Sequence, residues 1–251
     1  MNPVIVRNVK IGEGIPKICV PIVGRTKDEI INEAKEILAL PADLVEWRAD
    51  WFDEVFSFEE VKGVLTSLRE ILGEKPILFT FRTAKEGGEK AIDDITYIAL
   101  NKVAAESGEV DLLDVELFAG ETVVAEVLNI AHQNHVKVIA SNHDFEKTPN
   151  KEEMISRLQK MQEMGADILK IAVMPKTSKD VLTLLSATEE MHVYMKKPVV
   201  TMAMSNLGIV SRIAGETFGS AITFGAAGKA SAPGQIPAEE LKKILEILHY
   251  C

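Results

Sequence analysis

Short apolar-rich runs alternate along the chain with longer segments whose apolar positions recur every three or four residues, the patterns of strands and amphipathic helices respectively. The opening stretch from Val4 to Gly14 carries Val4-Ile-Val and Val9-Lys-Ile with turn-forming Gly12 and Gly14, which predicts a small β-hairpin. Lys17-Ile-Cys-Val-Pro-Ile22 then reads as a strand. A helix follows from about Lys27 to Leu40, with Ile30, Ile31, Ala34 and Leu38 on its apolar stripe and Pro41 as its stop. The rhythm repeats, with strands predicted at 43–48, 76–82, 110–117, 136–143, 166–173, 198–204 and 220–224 and helices around 57–72, around 92–107 and in later segments. Counted from Ile18 there are eight strands. Eight βα units in 251 residues predict an α/β fold, a (β/α)8 TIM barrel behind a short N-terminal hairpin. No low-complexity tract or long linker divides the chain, so residues 1–251 read as a single domain. A doubly wound open sheet competes, but no G-x-G-x-x-G follows the first strand, where a dinucleotide fold needs it.

Alternate residues of a barrel strand point inward, and active sites lie at the strand C-terminal ends, so parity sorts the polar residues. One face of strand 43–48 carries Leu44, Glu46 and Arg48; strand 76–82 carries Leu78, Thr80 and Arg82 opposite Ile77, Phe79 and Phe81. The next strands place Leu112, Asp114 and Glu116 together, then Ile139, Ser141 and His143, then Lys170, then Val200, Met202 and Met204. Parity thus sends Glu46, Arg48, Arg82, Asp114, Glu116, His143 and Lys170 to one interior. Burying so many charges in a dry core is costly, so the set predicts a wet or ligand-filled cavity. Singly, each has a plainer explanation: a strand-end charge, a structural histidine, methionines as core filler.

Composition narrows the partners. A formal net charge of −10 and a pI near 5.1 argue against nucleic acid or an anionic membrane surface. The N-terminus lacks a signal-peptide pattern and no stretch is long and apolar enough to span a bilayer, so a cytoplasmic protein is expected. Cys19 and Cys251 are the two cysteines and read as a structural thiol and a tail thiol, with no disulfide framework.

The chemistry centres on Lys170, set in the apolar run Ile168-Leu169-Lys170-Ile171-Ala172-Val173. Burial disfavours an ammonium, and a neutral amine can attack a carbonyl to form a Schiff base; the alternative is a strand-end lysine that reaches solvent or pairs with a nearby carboxylate. His143 ends the adjacent strand, where it can move protons, and Glu86 in Thr83-Ala-Lys-Glu-Gly-Gly can fix its tautomer, unless it is an ordinary solvated loop glutamate. Arg48, Arg82 and Arg212 point to an anionic substrate. Ser231 and Gln235, in Gly228-Lys-Ala-Ser-Ala-Pro-Gly-Gln235, can donate hydrogen bonds, although that Gly-rich loop equally suits phosphate. Metal catalysis is disfavoured: His132 and His135 sit near a helix end, and His192 and His249 lie in helical segments. A class I aldolase and a non-catalytic barrel that binds a small acid remain as rivals.

Taken together, Glu46-Trp-Arg48, Phe79-Thr-Phe-Arg82-Thr-Ala-Lys-Glu86-Gly-Gly, Ser141-Asn-His143-Asp-Phe, Lys170-Ile-Ala-Val-Met-Pro, Ser211-Arg212 and Ser231-Ala-Pro-Gly-Gln235 closely resemble type I 3-dehydroquinate dehydratase, in order and over essentially the whole chain. The resemblance implies a shikimate-pathway (β/α)8 lyase, without a cofactor and often homodimeric, that dehydrates 3-dehydroquinate to 3-dehydroshikimate by syn elimination through a lysine imine. It implies Lys170 as the imine-forming residue, His143 as acid–base and Glu86 as its orienting partner. By the same matching Arg212, Ser231 and Gln235 hold the substrate carboxylate, Glu46, Arg48 and Arg82 its ring hydroxyls, and Met202, Met204 and Phe224 line the ring pocket.

Overall fold

The computed structural model describes residues 2–228 and 232–250. Val4–Val6 (β1) and Val9–Ile11 (β2) pair antiparallel as the predicted hairpin. Eight parallel strands follow: Lys17–Ile22 (β3), Leu44–Arg48 (β4), Ile77–Thr80 (β5), Leu112–Glu116 (β6), Lys137–Asp144 (β7), Ile168–Val173 (β8), Val199–Ala203 (β9) and Ile222–Ala226 (β10). Each of β3 to β8 pairs with its successor, and β10 returns to pair with β3. A parallel bridge between Val199 and Ser220, with the Ala221 N–H donating to the Val199 carbonyl at 2.8 Å, closes the circle at β9. The outer ring comprises Lys27–Ile37 (α1), Phe58–Leu72 (α2), Asp94–Glu106 (α3), Glu121–Gln133 (α4), Lys151–Glu163 (α5), Ser178–Tyr194 (α6), the short Ile209–Ile213 (α7) and Gly215–Phe218 (α8), and Ala238–Tyr250 (α9).

The parity reading describes the interior. Val45, Trp47, Phe79, Leu113, Val115, Leu169 and Ile171 belong to the apolar layer between strands and helices. A separate inner cluster takes one residue from each barrel strand, Cys19, Leu44, Leu78, Leu112, Ile139, Ile168, Val200 and Ile222, and the hairpin covers it with Val4, Val6 and Ile11. The lower barrel is therefore a dry plug, and the Cys19 thiol inside it is pushed up by burial, as suits an inert structural cysteine. Two residues further along β4 to β8 the lining turns polar, with Glu46, Thr80, Asp114, Ser141 and Lys170 one layer above the plug, while β9 and β10 stay apolar there with Met202 and Phe224. Site chemistry is thus displaced to the strand C-terminal half.

A repeated device closes the opposite end. Asp43, Asp111 and Asp167 immediately precede β4, β6 and β8, and each carboxylate accepts a backbone N–H from the preceding strand: Ile18 at 2.7 Å, Ile77 at 2.8 Å and Val138 at 3.0 Å. Each aspartate's own N–H donates to the carbonyl of that same residue. Strand entry is thereby paired on both backbone groups, which a buried strand end requires.

Most element ends fall within two residues of the predicted ones, and three of the differences have a local reason. β5 stops at Thr80 because the Arg82 N–H goes to the Asp50 carboxylate at 3.2 Å instead of a neighbouring strand. β10 lies two residues later than 220–224, since Ser220 and Ala221 serve the closing bridge while Ile236–Pro237 (β11) pairs with Gly225 and Ala226. α1 ends at Ile37, where Ala39 and Leu40 turn onto the carbonyls of Glu36 and Ile37 ahead of Pro41.

Burial pushes the Asp167 carboxyl up, but hydrogen bonds from His132 and the Val138 N–H, with Lys137 nearby, hold it net below its ordinary value. A depressed folded-state value contributes stability that is present above the unfolded value of about 3.9 and is lost as pH falls through the folded one. Asp167→Ala is expected to cost about 1–3 kcal/mol at neutral pH, from the unpaired Val138 N–H and the lost charge. Urea unfolding against pH checks this: the gap between parent and variant should narrow below about pH 4, and kcat should not change.

Candidate active site

Lys170 stands on the inner face of β8, 4% exposed, with Nζ donating to Asp114 Oδ2 at 3.2 Å and lying 4.5 Å from the centre of the Phe224 ring. Parity put Asp114 on the same face, and this contact is the pairing with a nearby carboxylate that the sequence left open for the lysine. Asp114 is the hub of the upper interior: its Oδ1 also accepts from Arg82 Nη2 at 2.7 Å and from Ser141 Oγ at 2.6 Å. Burial alone would raise its carboxyl, yet Arg82 and Lys170 hold it below its ordinary value. Arg82 also donates to Glu116 at 2.9 Å, and Glu116 accepts from both the backbone and the hydroxyl of Thr83. Much of the buried charge is therefore neutralised within the protein, which the expectation of a ligand-filled cavity did not include.

Glu86 is buried, not a solvated loop residue. Beyond Arg82 the chain makes one tight turn over Ala84 to Glu86 and folds back so closely that a side chain on Gly88 would meet the Arg82 carbonyl at 1.8 Å. Gly87 takes φ +83° with Phe145 packed against it. These two glycines turn Glu86 toward the top of β7. There Glu86 Oε2 accepts the His143 N–H at 2.8 Å and lies 3.0 Å from His143 Nδ1, while Oε1 accepts from Asn142 Nδ2 at 3.1 Å. Burial, then the cations Arg82, Lys170 and Arg48, push the imidazole well below its ordinary value. A neutral ring makes the Glu86 contact a hydrogen bond from Nδ1–H, not an ion pair, and leaves Nε2 as the basic nitrogen. Burial and the nearby Glu116 raise the Glu86 carboxyl to about 7 against the pull of Arg82, Asn142 and the His143 N–H.

The three arginines separate by their partners. Arg48 forms a two-point pair with Asp50, both contacts 2.8 Å. Arg82 is held by Asp114 and Glu116. Arg212, 2% exposed, has no carboxylate partner among the described residues: Nη2 donates to the Pro233 carbonyl at 3.1 Å, Nη1 lies 4.0 Å from Met202 Sδ, and Nε is unsatisfied. Burial without a counter-ion pushes this guanidinium down to about 10, still cationic at neutral pH. Glu46 accepts from Thr80 at 2.9 Å. Glu46, Arg48, Arg82, Glu86, His143, Lys170, Met202, Met204, Arg212, Phe224 and Gln235 all border one cavity of about 50 Å³. Ser231 lies outside the described residues. A larger cavity of about 500 Å³ opens on the other side of Glu86 and does not reach Lys170, so the chemistry belongs to the smaller one.

Parity failed to assign Asp50, Asn142 and Arg157. Asp50 follows β4, while Asn142 has the outward parity of β7 and yet reaches Glu86. Arg157 comes from α5, its Nη1 donating to Asn142 Oδ1 at 2.6 Å. The motif Ser141-Asn-His143 held Asn142 in plain view without revealing its partner. The remaining histidines serve elsewhere: His132 Nε2 contacts Asp167 at 2.9 Å and His249 contacts Glu216 at 2.7 Å.

The chain as a whole has close counterparts among known proteins. A family model described as type I 3-dehydroquinase matches residues 18–250. The 3-dehydroquinate dehydratase of Clostridioides difficile (strain 630) is 56% identical over 245 residues, 97% of this chain and 96% of that protein. That of Listeria monocytogenes serotype 4b (strain F2365) is 54% identical over 249 residues, 99% of each. Among solved structures, the type I 3-dehydroquinate dehydratase from Clostridium difficile with covalently modified comenic acid superposes with a TM-score of 0.97 at 56% identity, covering 100% of this chain and 99% of that one. The 3-dehydroquinate dehydratase from Geobacillus kaustophilus HTA426 gives 0.97 at 41% identity, with the same coverage. With the family model spanning nearly all of the chain and relatives above half identity, the chain belongs to the type I 3-dehydroquinase family.

Proposed function

We propose that the protein dehydrates 3-dehydroquinate to 3-dehydroshikimate through an imine on Lys170, as a lyase of the shikimate pathway. The observation that carries the reading is the pairing of opposites in one cavity: a buried amine beside Asp114, and a buried guanidinium, Arg212, with no carboxylate of its own. A carboxylate-bearing ketone satisfies both. The substrate carboxylate takes the place of the missing counter-ion of Arg212, with Gln235 on the same cavity wall and Ser231 assigned to the same role by family likeness alone, and the ketone carbon is presented to Nζ. Arg48 and Arg82, already neutralised, suit neutral hydroxyls better than a second anion, as does Glu46. Met202, Met204 and Phe224 supply apolar contact to the ring. The C. difficile relative's structure with covalently modified comenic acid is consistent with covalent chemistry in this family.

The steps follow from the groups present. His143 takes one proton from the Lys170 amine as the Nζ lone pair attacks the ketone carbon and returns it to the carbinolamine oxygen, which leaves as water to give an iminium. The iminium is cationic, so Asp114 is its counter-ion before the proton is removed and again once the hydroxyl has left. His143 Nε2 takes the proton from the carbon next to the iminium, and the C–H electrons move into the C–N system to give an enamine. The enamine expels the β-hydroxyl, which leaves as water with the proton returned by His143. Water then hydrolyses the conjugated imine, releasing the product ketone and Lys170. One water is consumed and two are lost, a net dehydration.

Two outcomes test this. The parent should turn over 3-dehydroquinate, and Arg212→Met should lower kcat/KM mainly through KM, by on the order of ten- to a hundredfold for loss of a charged hydrogen bond worth about 1.5–3 kcal/mol. Its melting temperature should not fall, since an uncompensated buried charge is removed; unchanged KM would remove Arg212 from substrate binding. The second is the acid limb of kcat/KM. It should fall below about pH 7 as the Glu86–His143 pair takes up a proton, and Glu86→Gln should displace that limb toward lower pH while slowing turnover.

A further inference from the structure

Glu86 can hold His143 only if its own carboxylate is held, and that hold runs through Asn142 of β7 to Arg157 of α5. We propose that Arg157 and Asn142 form a brace that fixes the Glu86 carboxylate and, through it, the tautomer of His143; this rests on the reading of His143 as the acid–base group.

The argument starts from donor chemistry. A guanidinium has donors and no acceptor, so Arg157 Nη1, 2.6 Å from the Asn142 side chain, must meet its carbonyl oxygen. That contact fixes which way the amide points, an orientation that atom positions alone leave ambiguous. Nδ2 is then turned toward Glu86 Oε1 at 3.1 Å. With Oε1 occupied by this donor, the proton shared between Glu86 and His143 is confined to the Oε2···Nδ1 line, 3.0 Å long, where the His143 N–H also donates to Oε2. The imidazole carries its proton on Nδ1 and presents Nε2 to the cavity holding Lys170.

Arg157 is itself anchored. Its other branch pairs with Glu153 one turn earlier on α5, Asp144 lies 4.0 Å away, and its guanidinium stacks 5.3 Å from the centre of the Phe118 ring. Asn142 is 4% exposed, but Arg157 borders the 500 Å³ cavity on the far side of Glu86. Without the guanidinium, water from that cavity can pair with either end of the Asn142 amide. A flipped amide offers Oδ1 to Glu86, which rewards a protonated Glu86 and ends its hold on Nδ1–H.

The remaining charged groups around the pair explain why an extra donor is needed. Arg82, 3.8 Å from Glu86 Oε2, favours the carboxylate, whereas Glu116 at the end of β6 opposes it. Lys170 from β8 and Arg48 from β4 act on His143 by favouring the neutral ring. Arg82 is already shared with Asp114 and Glu116, so Asn142 is the donor with no competing acid.

Arg157→Met removes the donor at similar bulk. With the parent turning over 3-dehydroquinate, kcat should fall about tenfold, part of the 10²–10⁴ that a positioned acid–base contributes, with KM changed less than about twofold. Losing a hydrogen bond to the charged form raises the Glu86 carboxyl, so the acid limb should move to higher pH. Arg157→Lys, still donor-only, should restore the limb, and Glu153→Gln should leave it in place. Asn142→Ala, which spares the α5 pair, should give the same shift, and the double variant should be no worse than Asn142→Ala alone, since the two act in series. ¹⁵N NMR of the His143 ring, without substrate, should show the Nδ1–H tautomer in the parent and a mixture in Arg157→Met. Parent-like limb and tautomer in both single variants, or a uniform loss at every pH that Arg157→Lys does not relieve, would overturn the brace. A parent inactive on 3-dehydroquinate but showing the tautomer change would instead defeat the assigned reaction and leave the brace standing.

Discussion

The upper half of the barrel depends on one carboxylate. Asp114 is fully enclosed and accepts from Arg82, Ser141 and Lys170 at once. Isolated, either cation would carry a desolvation cost of several kcal/mol in such a setting. Shared around Asp114 and Glu116, the two cations and two anions sit in a layer held by contacts of 2.6 to 3.2 Å. The dry plug of eight apolar residues beneath and the hairpin below it keep water out from that side, so the network is wet only from the strand C-terminal end.

That accounting assigns roles to the other charges. Arg48 is answered by Asp50, Arg82 by Asp114 and Glu116, and Lys170 by Asp114; Arg212 is left with a carbonyl and a sulfur. An unanswered buried cation is costly in the free protein and becomes favourable when an anion arrives, which is what a binding site selects for. The same reasoning separates His143 from an ordinary structural histidine. Burial, then the cations Arg82, Lys170 and Arg48, keep its ring neutral, and a single carboxylate, itself placed by two glycines and a braced asparagine, decides which nitrogen carries the proton.

Period-two patterning carried the architecture and the inward set because both follow from side-chain alternation, a local property of the strand. Lys170, Glu46, Arg82 and His143 were legible for that reason. Glu86 was legible as a loop residue only, since its inward turn depends on Gly87 and Gly88 folding under the Arg82 carbonyl, a contact made in three dimensions. Asn142 and Arg157 were not legible: one has the wrong parity, the other sits on a helix, and they join Glu86 only where the loop crosses the top of β7. Partner assignment was equally hidden. Nothing along the chain distinguishes Arg212, which lacks a counter-ion, from Arg48, whose counter-ion lies two residues away at Asp50.

The central claim is that Lys170 becomes covalently bound to the substrate ketone. Borohydride reduction of the protein with 3-dehydroquinate, followed by intact mass and peptide mapping, reads this directly. The account predicts a reduced adduct confined to the peptide containing Lys170 and absent from Lys170→Ala. An adduct on another lysine, or none in a folded sample that binds and turns over 3-dehydroquinate, would contradict it.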